Sequence, residues 1–285
     1  MNYRHAFHAG NFADVHKHSV LVRILLHLRK KPAPFRVIDT HAGAGRYDLF
    51  GSDARRSGEW RAGIERVWRA PRTGAPDDLL APYLDAVAAF NSGGELRTYP
   101  GSPLIVAGLL RRQDRLLACE LEPKTAQALA AALRGVAGAK ALAVDGWTAL
   151  GAYVPPKERR GLVLVDPPFE EPDEFVRLAN RLSAAYRKWP TGIYLLWYPI
   201  KDRAVSEALT RRLRALSTAN VLRSELTLGK PSADGPLLGS GLIVVNPPFT
   251  LEGELQRLVP ALAATLTPLA SARTDRLIPQ GPQTA

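Results

Sequence analysis

The feature that most constrains the fold of this chain is a nonapeptide, Gly161–Phe169, with the sequence GLVLVDPPF. A run of five small or apolar residues is typical of a central strand of a parallel sheet, which is buried on both faces. The two prolines after Asp166 lack the amide hydrogen that strand pairing needs, so the strand must end there. The motif therefore predicts a stiff turn that holds a carboxylate and an aromatic ring at the carboxyl edge of a sheet, where open α/β folds bind ligands.

A near copy of this motif occurs at Gly241–Phe249, with the sequence GLIVVNPPF. Both copies end in two prolines and a phenylalanine, but the second has Asn246 where the first has Asp166. Only one of the two can be the working site, and the motifs alone do not tell which.

Strand patterns recur along the chain and alternate with helical patterns. The predicted strands are Phe35–Thr40, Leu116–Glu120, Ala141–Val144, Leu162–Val165, Ile193–Tyr198, Glu225–Leu228 and Leu242–Val245. The predicted helices are Asp14–Lys31, Thr125–Arg134, Pro172–Lys188 and Val205–Leu216. This alternation indicates an α/β fold with a doubly wound, mostly parallel sheet, and we expect residues 1–285 to form a single domain.

One interval departs from this rhythm. About seventy residues separate the first two predicted strands, where a helical crossover needs only about twenty. Residues 47–99 are rich in Gly, Pro and Arg and contain helical patterns near Gly63–Arg69 and Asp77–Phe90. We predict an inserted helical subdomain on the ligand side of the sheet, the alternative being an elaborated crossover. Residues 274–285 are predicted to be a flexible tail.

The charge of the chain favours a polyanionic partner. It has 38 basic and 27 acidic residues, a net charge of +11, and neutralisation of phosphates with release of counterions drives binding to nucleic acids. The alternative is an arginine-rich, solvated surface. The basic residues are clustered, with seven in residues 1–36 against one acid, and this clustering favours a nucleic acid.

Composition also bears on location and on metal binding. The single cysteine, Cys119, excludes an internal disulfide and fits a reducing compartment. The first residues contain no apolar signal region, and no apolar run is long enough to span a membrane, so we expect a cytoplasmic protein. His5, His8, His16 and His18 are loosely spaced, and helical geometry places His16 and His18 on different faces, so no metal site is predicted.

Four successive strand ends carry residues suited to an adenosyl cofactor. Asp39 is followed by Gly43 and Gly45, whose lack of a side chain lets the backbone approach a ligand closely. Glu120 ends the second strand and can accept both hydroxyls of a ribose. Asp145, followed by Gly146, ends the third and can accept an adenine amino group. Asp166 ends the fourth. Each of these alone is equally well a turn or a solvated acid, but the four together are far less expected by chance. Asp48 stands where the nicotinamide-binding pattern GxGxxG requires its last glycine, which disfavours a dinucleotide.

This succession resembles the class I S-adenosylmethionine-dependent methyltransferases, and DPPF resembles the signature of those that methylate amino groups. The resemblance implies a Rossmann-like sheet of seven strands in the order 3-2-1-4-5-7-6, whose seventh strand is antiparallel. The motif that ends at Asn246 would then lie at the edge opposite the catalytic one and serve as a strand terminator. Asp166 is thus expected to be catalytic.

The chemistry of an amino-group methylator suits the residues of the first motif. The exocyclic amine of adenine is a poor nucleophile because its lone pair is delocalised into the ring. Hydrogen bonds from that amine to the Asp166 carboxylate and to the carbonyl of Pro167 would turn the lone pair toward the methyl group, while Phe169 stacks on the base. The base must first leave its stack to enter the pocket.

Longer blocks point to a narrower family. They are residues 3–11 (YRHAFHAGN), 13–15, 17–18, 39–47 (DTHAGAGRY), 99–103 (YPGSP) and 192–199 (GIYLLWYP). From residue 3 to about residue 248 the chain resembles the bacterial 23S ribosomal RNA adenine-N6 methyltransferases. The one clear departure is Phe169, where that family more often has tyrosine, so any role of a phenol hydroxyl is lost.

The resemblance implies roles for individual residues. Those implied to contact S-adenosylmethionine are Lys17 (toward its carboxylate), His18, His41, Gly43, Gly45, Ser102, Glu120, Asp145, Gly146 and Asp166. Tyr3, Arg4 and Arg46 are expected to contact 23S rRNA, although the N-terminal tail is one residue shorter than is usual in the family. We expect a monomer. The alternatives are a DNA amino methyltransferase and a non-catalytic RNA-binding module of the same fold.

Overall fold

The computed structural model describes residues 5–71, 77–171, 173–214, 220–229 and 237–278. Its strands are β1 (Arg36–Asp39), β2 (Arg46–Asp48), β3 (Thr98–Pro100), β4 (Arg115–Cys119), β5 (Ala139–Leu142), β6 (Gly161–Val165), β7 (Ile193–Ile200), β8 (Val221–Thr227), β9 (Gly239–Val245) and β10 (Ser271–Ile278). Its helices are α1 (Phe12–Arg29), α2 (Ser52–Ser57), α3 (Glu59–Ala62), α4 (Ile64–Arg69), α5 (Asp77–Ala88), α6 (Ser102–Leu109), α7 (Pro123–Ala132), α8 (Gly146–Ala152), α9 (Glu174–Lys188), α10 (Arg203–Leu213) and α11 (Leu251–Leu266).

Eight strands form the central sheet, in the order β10-β8-β9-β7-β6-β1-β4-β5. Strands β5, β4, β1, β6 and β7 are parallel, and β9 and β8 follow in antiparallel pairings. Read from β5, the first seven strands have the expected order 3-2-1-4-5-7-6. The class of the fold is confirmed: it is the Rossmann-like fold of class I methyltransferases.

The predicted number of strands was wrong, because β10 adds an eighth strand at the edge of the sheet. It pairs antiparallel with β8, so residues 274–278 of the predicted flexible tail are part of a strand, and residues 279–285 lie outside the described part. The sequence of β10 did not predict a strand because edge strands are half exposed and carry charged residues, so they lack the apolar pattern of a buried strand. Its Asp275 accepts two hydrogen bonds, of 2.9 and 2.8 Å, from the buried guanidinium of Arg223 in β8.

Helices cover both faces of the sheet. Helices α1, α6, α7 and α11 pack on one face, and α9 and α10 pack on the other. Alternate side chains of each strand point to the two layers, as Val37 and Ile38 of β1 do. Among the described residues, no helix combines the length and the apolar character that crossing a bilayer requires.

The segment between β1 and β4 contains helices α2 to α5, framed by a ribbon of β2 and β3 that the sequence did not predict. Its large side chains, among them Trp60, Ile64 and Tyr83, are buried in the same cluster as Leu21 and Leu25 of α1. Helix α1 is therefore enclosed between the sheet and the inserted segment. This enclosure explains why eleven consecutive residues of α1, Phe12–Val22, are all buried.

Candidate active site

A cavity of about 810 Å³ opens at the carboxyl edge of the sheet, where β1 lies between β6 and β4. This is the point where the strand order reverses, which is where open α/β sheets bind ligands. The cavity is lined by most of the residues implied to contact the cofactor, which are Lys17, His18, His41, Gly43, Ser102, Glu120, Asp145, Gly146 and Asp166. The structure thus brings together residues that are up to 149 positions apart in the chain.

The loop after β1 requires glycine at Gly43. This residue has φ of +61°, and a Cβ there would lie 2.2 Å from the hydroxyl oxygen of Tyr47. The amide of Gly43 donates a hydrogen bond of 3.0 Å to Glu120 Oε2. The other oxygen of Glu120 accepts the amide of Glu122 at 2.9 Å. The two bonds fix the Glu120 carboxylate at the wall of the cavity.

Gly45 does not line the cavity, contrary to the role implied for it. Its φ is +78°, and a Cβ there would lie 3.3 Å from the Cβ of Ala132 and 3.4 Å from Leu129, both in α7. Its carbonyl accepts the amide of Gly101 at 2.8 Å. Gly45 therefore allows close packing of the loop against α7, while Gly43 alone faces the site.

The loop after β5 forms a narrow part of the cavity. Asp145 caps α8, with Oδ2 accepting the amide and the hydroxyl of Thr148, both at 2.8 Å. Burial tends to raise the pKa of this carboxyl, but these bonds outweigh it and the net pKa is lowered. A Cβ at Gly146 would lie 2.3 Å from the carbonyl oxygen of Thr40 and 2.7 Å from the His41 ring. Only glycine at position 146 lets the start of α8 lie this close to Thr40 and His41.

Asp39 lies behind the cavity wall as a fully buried carboxyl. The hydroxyl of Ser102 donates a hydrogen bond of 2.7 Å to its Oδ2, whereas its Oδ1 has no hydrogen-bond partner in the described part of the chain. Burial raises the pKa of Asp39 to about 7, although the bond from Ser102 works in the opposite direction. Asp39 is thus a carboxyl whose negative charge the protein leaves largely uncompensated.

We expect the variant Asp39→Asn to stabilise the protein in a pH-dependent way. The raised folded-state pKa means that the native protein holds an extra proton between the ordinary value of 3.8 and about 7, so its stability falls as the pH rises through this range. The amide keeps an acceptor for Ser102 and removes the charge. In urea unfolding, the gain over the wild type should be small at about pH 4 and reach about 2–4 kcal/mol above about pH 7. An equal gain at both pH values would contradict the role assigned to the charge.

Asp166 follows β6 and lies against a buried lysine. The ammonium of Lys17, from the second turn of α1, forms a close ion pair with Asp166 Oδ2, and it also lies 2.9 Å from Asp14 Oδ1. Burial lowers the pKa of Lys17, but the two carboxylates outweigh it and hold the pKa above its usual value. The resemblance implied that Lys17 contacts the carboxylate of the cofactor. In the structure its charge is engaged by protein carboxylates, and Asp14 was missed although it lies one helical turn from Lys17.

Two of the histidines that line the cavity, His18 and His41, are neutral. Burial lowers the pKa of His18 to about 3 and that of His41 to about 4. His18 Nδ1 lies 2.7 Å from the hydroxyl oxygen of Tyr99, and His41 Nδ1 lies 2.8 Å from that of Thr40. Each ring is therefore held in one orientation and offers the cavity a neutral polar group.

His16 is on a different face of α1 from His18, as predicted. It lies between the hydroxyls of Ser240 and Ser224, at 3.1 and 3.0 Å, in contact with the sheet. In the part of the chain that the structure describes, no group of three or more His, Cys, Asp or Glu side chains is arranged to hold a metal ion.

The rest of the first motif surrounds Asp166. Pro168 lines the cavity, and Pro167 is buried beneath it. Phe169 has φ of +53°, and its ring lies 4.7 Å from that of Phe175 and 5.7 Å from that of Trp197. Phe169 thus belongs to an aromatic cluster beside the cavity and is not part of its wall; stacking on a base stays a prediction.

The second motif lies at the other edge of the sheet, as expected. Val245 pairs with Tyr194 near the start of β7, whereas Val165 pairs with Leu196 further along the same strand. The side-chain amide of Asn246 donates hydrogen bonds of 2.7 Å to the carbonyls of Pro190 and Gly192. Asn246 therefore joins the end of β9 to the turn before β7.

Of the three residues expected to contact RNA, the structure describes one. Arg46 is exposed, with its guanidinium 5.4 Å from the ring of Phe90 in the inserted segment, and it does not line the cavity. Tyr3 and Arg4 lie outside the described residues. These three roles stay predictions.

The electrostatics of the cavity suit a cationic adenosyl cofactor. Its lining includes eight carboxylates but only three lysines or arginines, namely Lys17, Lys124 and Arg177. Such a wall repels a pyrophosphate and attracts a sulfonium and an ammonium group. The uncompensated carboxyl of Asp39 behind the cavity wall is a further feature that fits S-adenosylmethionine.

Comparison with known proteins agrees with this geometry. A family model described as "Ribosomal RNA large subunit methyltransferase D, RlmJ" matches residues 32–277. The ribosomal RNA large subunit methyltransferase J of Escherichia coli K12 is 41% identical over 271 residues, which is 94% of this chain and 95% of that protein. The protein of the same name from Haemophilus influenzae is 40% identical over 269 residues, with the same coverage. The crystal structure of LPL1258 from Legionella pneumophila has a TM-score of 0.86 at 34% identity and covers 94% of this chain and 98% of its own. The chain therefore belongs to the RlmJ family of ribosomal RNA large subunit methyltransferases.

Proposed function

We propose that this protein transfers the methyl group of S-adenosylmethionine to N6 of one adenine in 23S rRNA. The observation that carries this proposal is the position of Asp166, whose carboxylate lies at the switch point of the sheet, on the wall of the cavity. Membership of the RlmJ family supports a ribosomal RNA as the substrate.

Different residues of the cavity wall are proposed to bind different parts of the cofactor. Glu120, on the cavity wall, is proposed to accept the ribose hydroxyls, and Asp145 with Gly146 is proposed to bind the adenine ring. Ser102 and the uncompensated Asp39 lie where positive charge is favoured. When bound, S-adenosylmethionine supplies an electrophilic methyl group on a sulfonium.

Asp166 and Pro167 are proposed to orient the target amine. The carboxylate and the proline carbonyl accept its two N–H groups, which turns the nitrogen lone pair out of conjugation with the ring. No strong base is needed, because the proton can leave after methyl transfer. Lys17 holds the carboxylate in place through its ion pair, so little reorganisation is needed when the base arrives.

Phe169 is proposed to stack on the flipped adenine. Its contacts with Phe175 and Trp197 would limit the ring to a small range of positions. Stacking needs only a planar ring, so the missing phenol hydroxyl does not prevent it. Tyr3, Arg4 and Arg46 are proposed to contact the RNA outside the pocket. We further propose that the protein acts as a monomer in the cytoplasm.

The direct test is transfer of label from methyl-tritiated S-adenosylmethionine to unmodified 23S rRNA transcribed in vitro. We expect the product nucleoside to be N6-methyladenosine at one position. A transcript with guanine at that position is the matched control and should take up no label. Absence of transfer by protein that still binds the cofactor would overturn the proposal, and transfer to duplex DNA in competition with the RNA would favour the DNA alternative.

A further inference from the structure

The positive charge of the chain is concentrated at the sheet edge opposite the cavity. Three turns lead into β1, β4 and β6 and consist of residues 29–36, 110–115 and 155–161, which we call the basic edge. These turns hold ten basic and two acidic residues. The cavity wall has the reverse balance. The charge that suggests a polyanionic partner is thus largely separate from the proposed catalytic site.

The two acids of the basic edge do not neutralise its exposed cations. Asp114 is buried and accepts bonds of 2.8 Å from Arg111 Nε and 3.1 Å from the amide of Phe35. Glu158 is engaged by Arg36, at 2.8 Å. Lys30, Lys31 and Arg112 are exposed, and no ion pair joins them to an acid in the described part of the chain.

Hydrogen bonds to carbonyl groups hold these turns in a defined shape. The guanidinium of Arg111 donates to the carbonyls of Lys31 at 2.8 Å and Ala33 at 3.1 Å. Arg160 donates to the same carbonyl of Ala33 at 2.9 Å. Cations on a rigid frame lose little conformational entropy when a ligand binds, which favours recognition of a polyanion.

An exposed aromatic ring lies beside the basic edge. Phe249, the last residue of the second motif, is 78% exposed, the highest fraction of any large hydrophobic side chain among the described residues. Its ring lies 5.9 Å from that of His27 in the last turn of α1. Because β9 is antiparallel to β7, the end of β9 lies at the edge of the sheet where the parallel strands begin, which is the edge that carries the basic turns. His27 is three residues before Lys30, so its contact with Phe249 lies beside the first of these turns.

Hydrogen bonds on both sides of Phe249 fix the turn that exposes its ring. Asn246 is anchored to two carbonyls, and the amide of Leu251 donates to the carbonyl of Pro248 at 2.9 Å as α11 begins. Phe249 therefore stands on a turn fixed at both ends. An exposed aromatic ring beside unpaired cations is the combination with which proteins bind single-stranded nucleic acid, where cations contact phosphates and the ring stacks on a base.

We propose that the basic edge and Phe249 form a second RNA-binding site, which holds a single-stranded segment of 23S rRNA remote from the target adenine. The proposal rests on the proposed function for the identity of the RNA. β6 separates this site from Asp166 by five residues, about 17 Å. An RNA segment at the basic edge is therefore distinct from the nucleotides that enter the cavity.

The test measures binding to three probes, which are unmodified 23S rRNA, a short stem-loop with the target adenine, and single-stranded oligouridylate. The variants are K30Q/K31Q and F249A, with R211Q/R212Q and L269A as controls that remove equally exposed side chains elsewhere. K30Q/K31Q should weaken binding of 23S rRNA and oligouridylate about tenfold. It should also reduce the slope of log K against log salt concentration by about two, because two phosphate contacts are lost. F249A should weaken both about tenfold with little change in salt dependence, and F249W should restore them.

Methylation of the stem-loop by these variants should change less than about twofold, because Asp166 and the cavity are untouched. Wild-type affinity of K30Q/K31Q and F249A for 23S rRNA, or equal losses in the controls, would overturn the second site. Failure of the wild type to methylate either RNA would overturn the proposed function instead. Binding of oligouridylate does not depend on catalysis, so the two failures are distinguishable.

Discussion

Replacing Asp166 with alanine is expected to lower the rate of methyl transfer about a thousandfold, the upper end of what loss of one preorganised polar group costs an enzyme. The Asp166 side chain is the one side chain of the first motif that both lines the cavity and can accept a hydrogen bond from an amine. Lys17 keeps its ion pair with Asp14 in this variant, so the fold should persist. Single-turnover transfer from labelled cofactor to 23S rRNA measures the effect, and a cofactor titration shows that binding survives.

The matched control is Asn246→Ala in the second motif. Asn246 makes two hydrogen bonds to carbonyls far from the cavity and has φ of +53°, where alanine is strained. We expect a loss of about 1–2 kcal/mol in the free energy of unfolding, with the rate of transfer to the short stem-loop that holds the target adenine unchanged at a temperature where the variant is folded. A dead Asn246 variant beside an active Asp166 variant would mean that the two motifs have been assigned to the wrong roles.

Much of the fold was predictable because buried parallel strands have an unambiguous pattern. The five residues before Asp166 are apolar or small and are all buried, and the two prolines after Asp166 prevent the strand from continuing because they lack the amide hydrogen that pairing needs. β10 was missed because its charged residues are stabilised by a partner, Arg223, whose position only the folded sheet reveals. The ribbon of β2 and β3 was missed because three-residue strands carry too little pattern.

The candidate site was predictable for residues whose position at a strand end determines their role. It was less predictable for glycines and lysines, whose role depends on what they contact in the folded protein. The carboxylates at the strand ends line the cavity as expected, because the carboxyl ends of parallel strands meet at one edge. Gly43 and Gly45 look alike in sequence, and only packing against α7 shows that Gly45 faces away from the cavity. The partners of Lys17 could not be predicted from residue types, because its two carboxylates come from α1 and from the end of β6, 149 residues away.

Replacing Lys17 with methionine is expected to lower the free energy of unfolding by about 3–5 kcal/mol at neutral pH. Methionine fills a similar volume but leaves the Asp14 and Asp166 carboxylates without their cation. Asp14 is 2% exposed, and water cannot replace the lost partner there. Methyl transfer should fall as well, because Asp166 loses the contact that holds it in position.

The pH dependence of this loss identifies its cause. Burial alone would raise the pKa of Asp14, yet Lys17, with His5 and His18, holds it well below the usual value. A depressed folded-state pKa gives stability that is present above about pH 4 and is lost as the pH falls through the folded pKa. Without Lys17 the carboxyl can bind a proton in the folded state near pH 4, so the deficit of the variant should be largest at about pH 7 and shrink at about pH 4. Urea unfolding at the two pH values measures it.

Two further variants separate the ion pairs from the mere loss of a lysine at the cavity. Lys124→Met removes an exposed lysine from the cavity wall and should cost less than about 0.5 kcal/mol. The double variant Asp14→Asn with Lys17→Met removes one of the two orphaned charges and should recover part of the loss, so that the two substitutions are not additive. A deficit that is equal at both pH values, or a double variant as unstable as the sum of its parts, would show that Lys17 contributes through packing. Asp166 would then have to be positioned by the turn of its own motif, without help from α1.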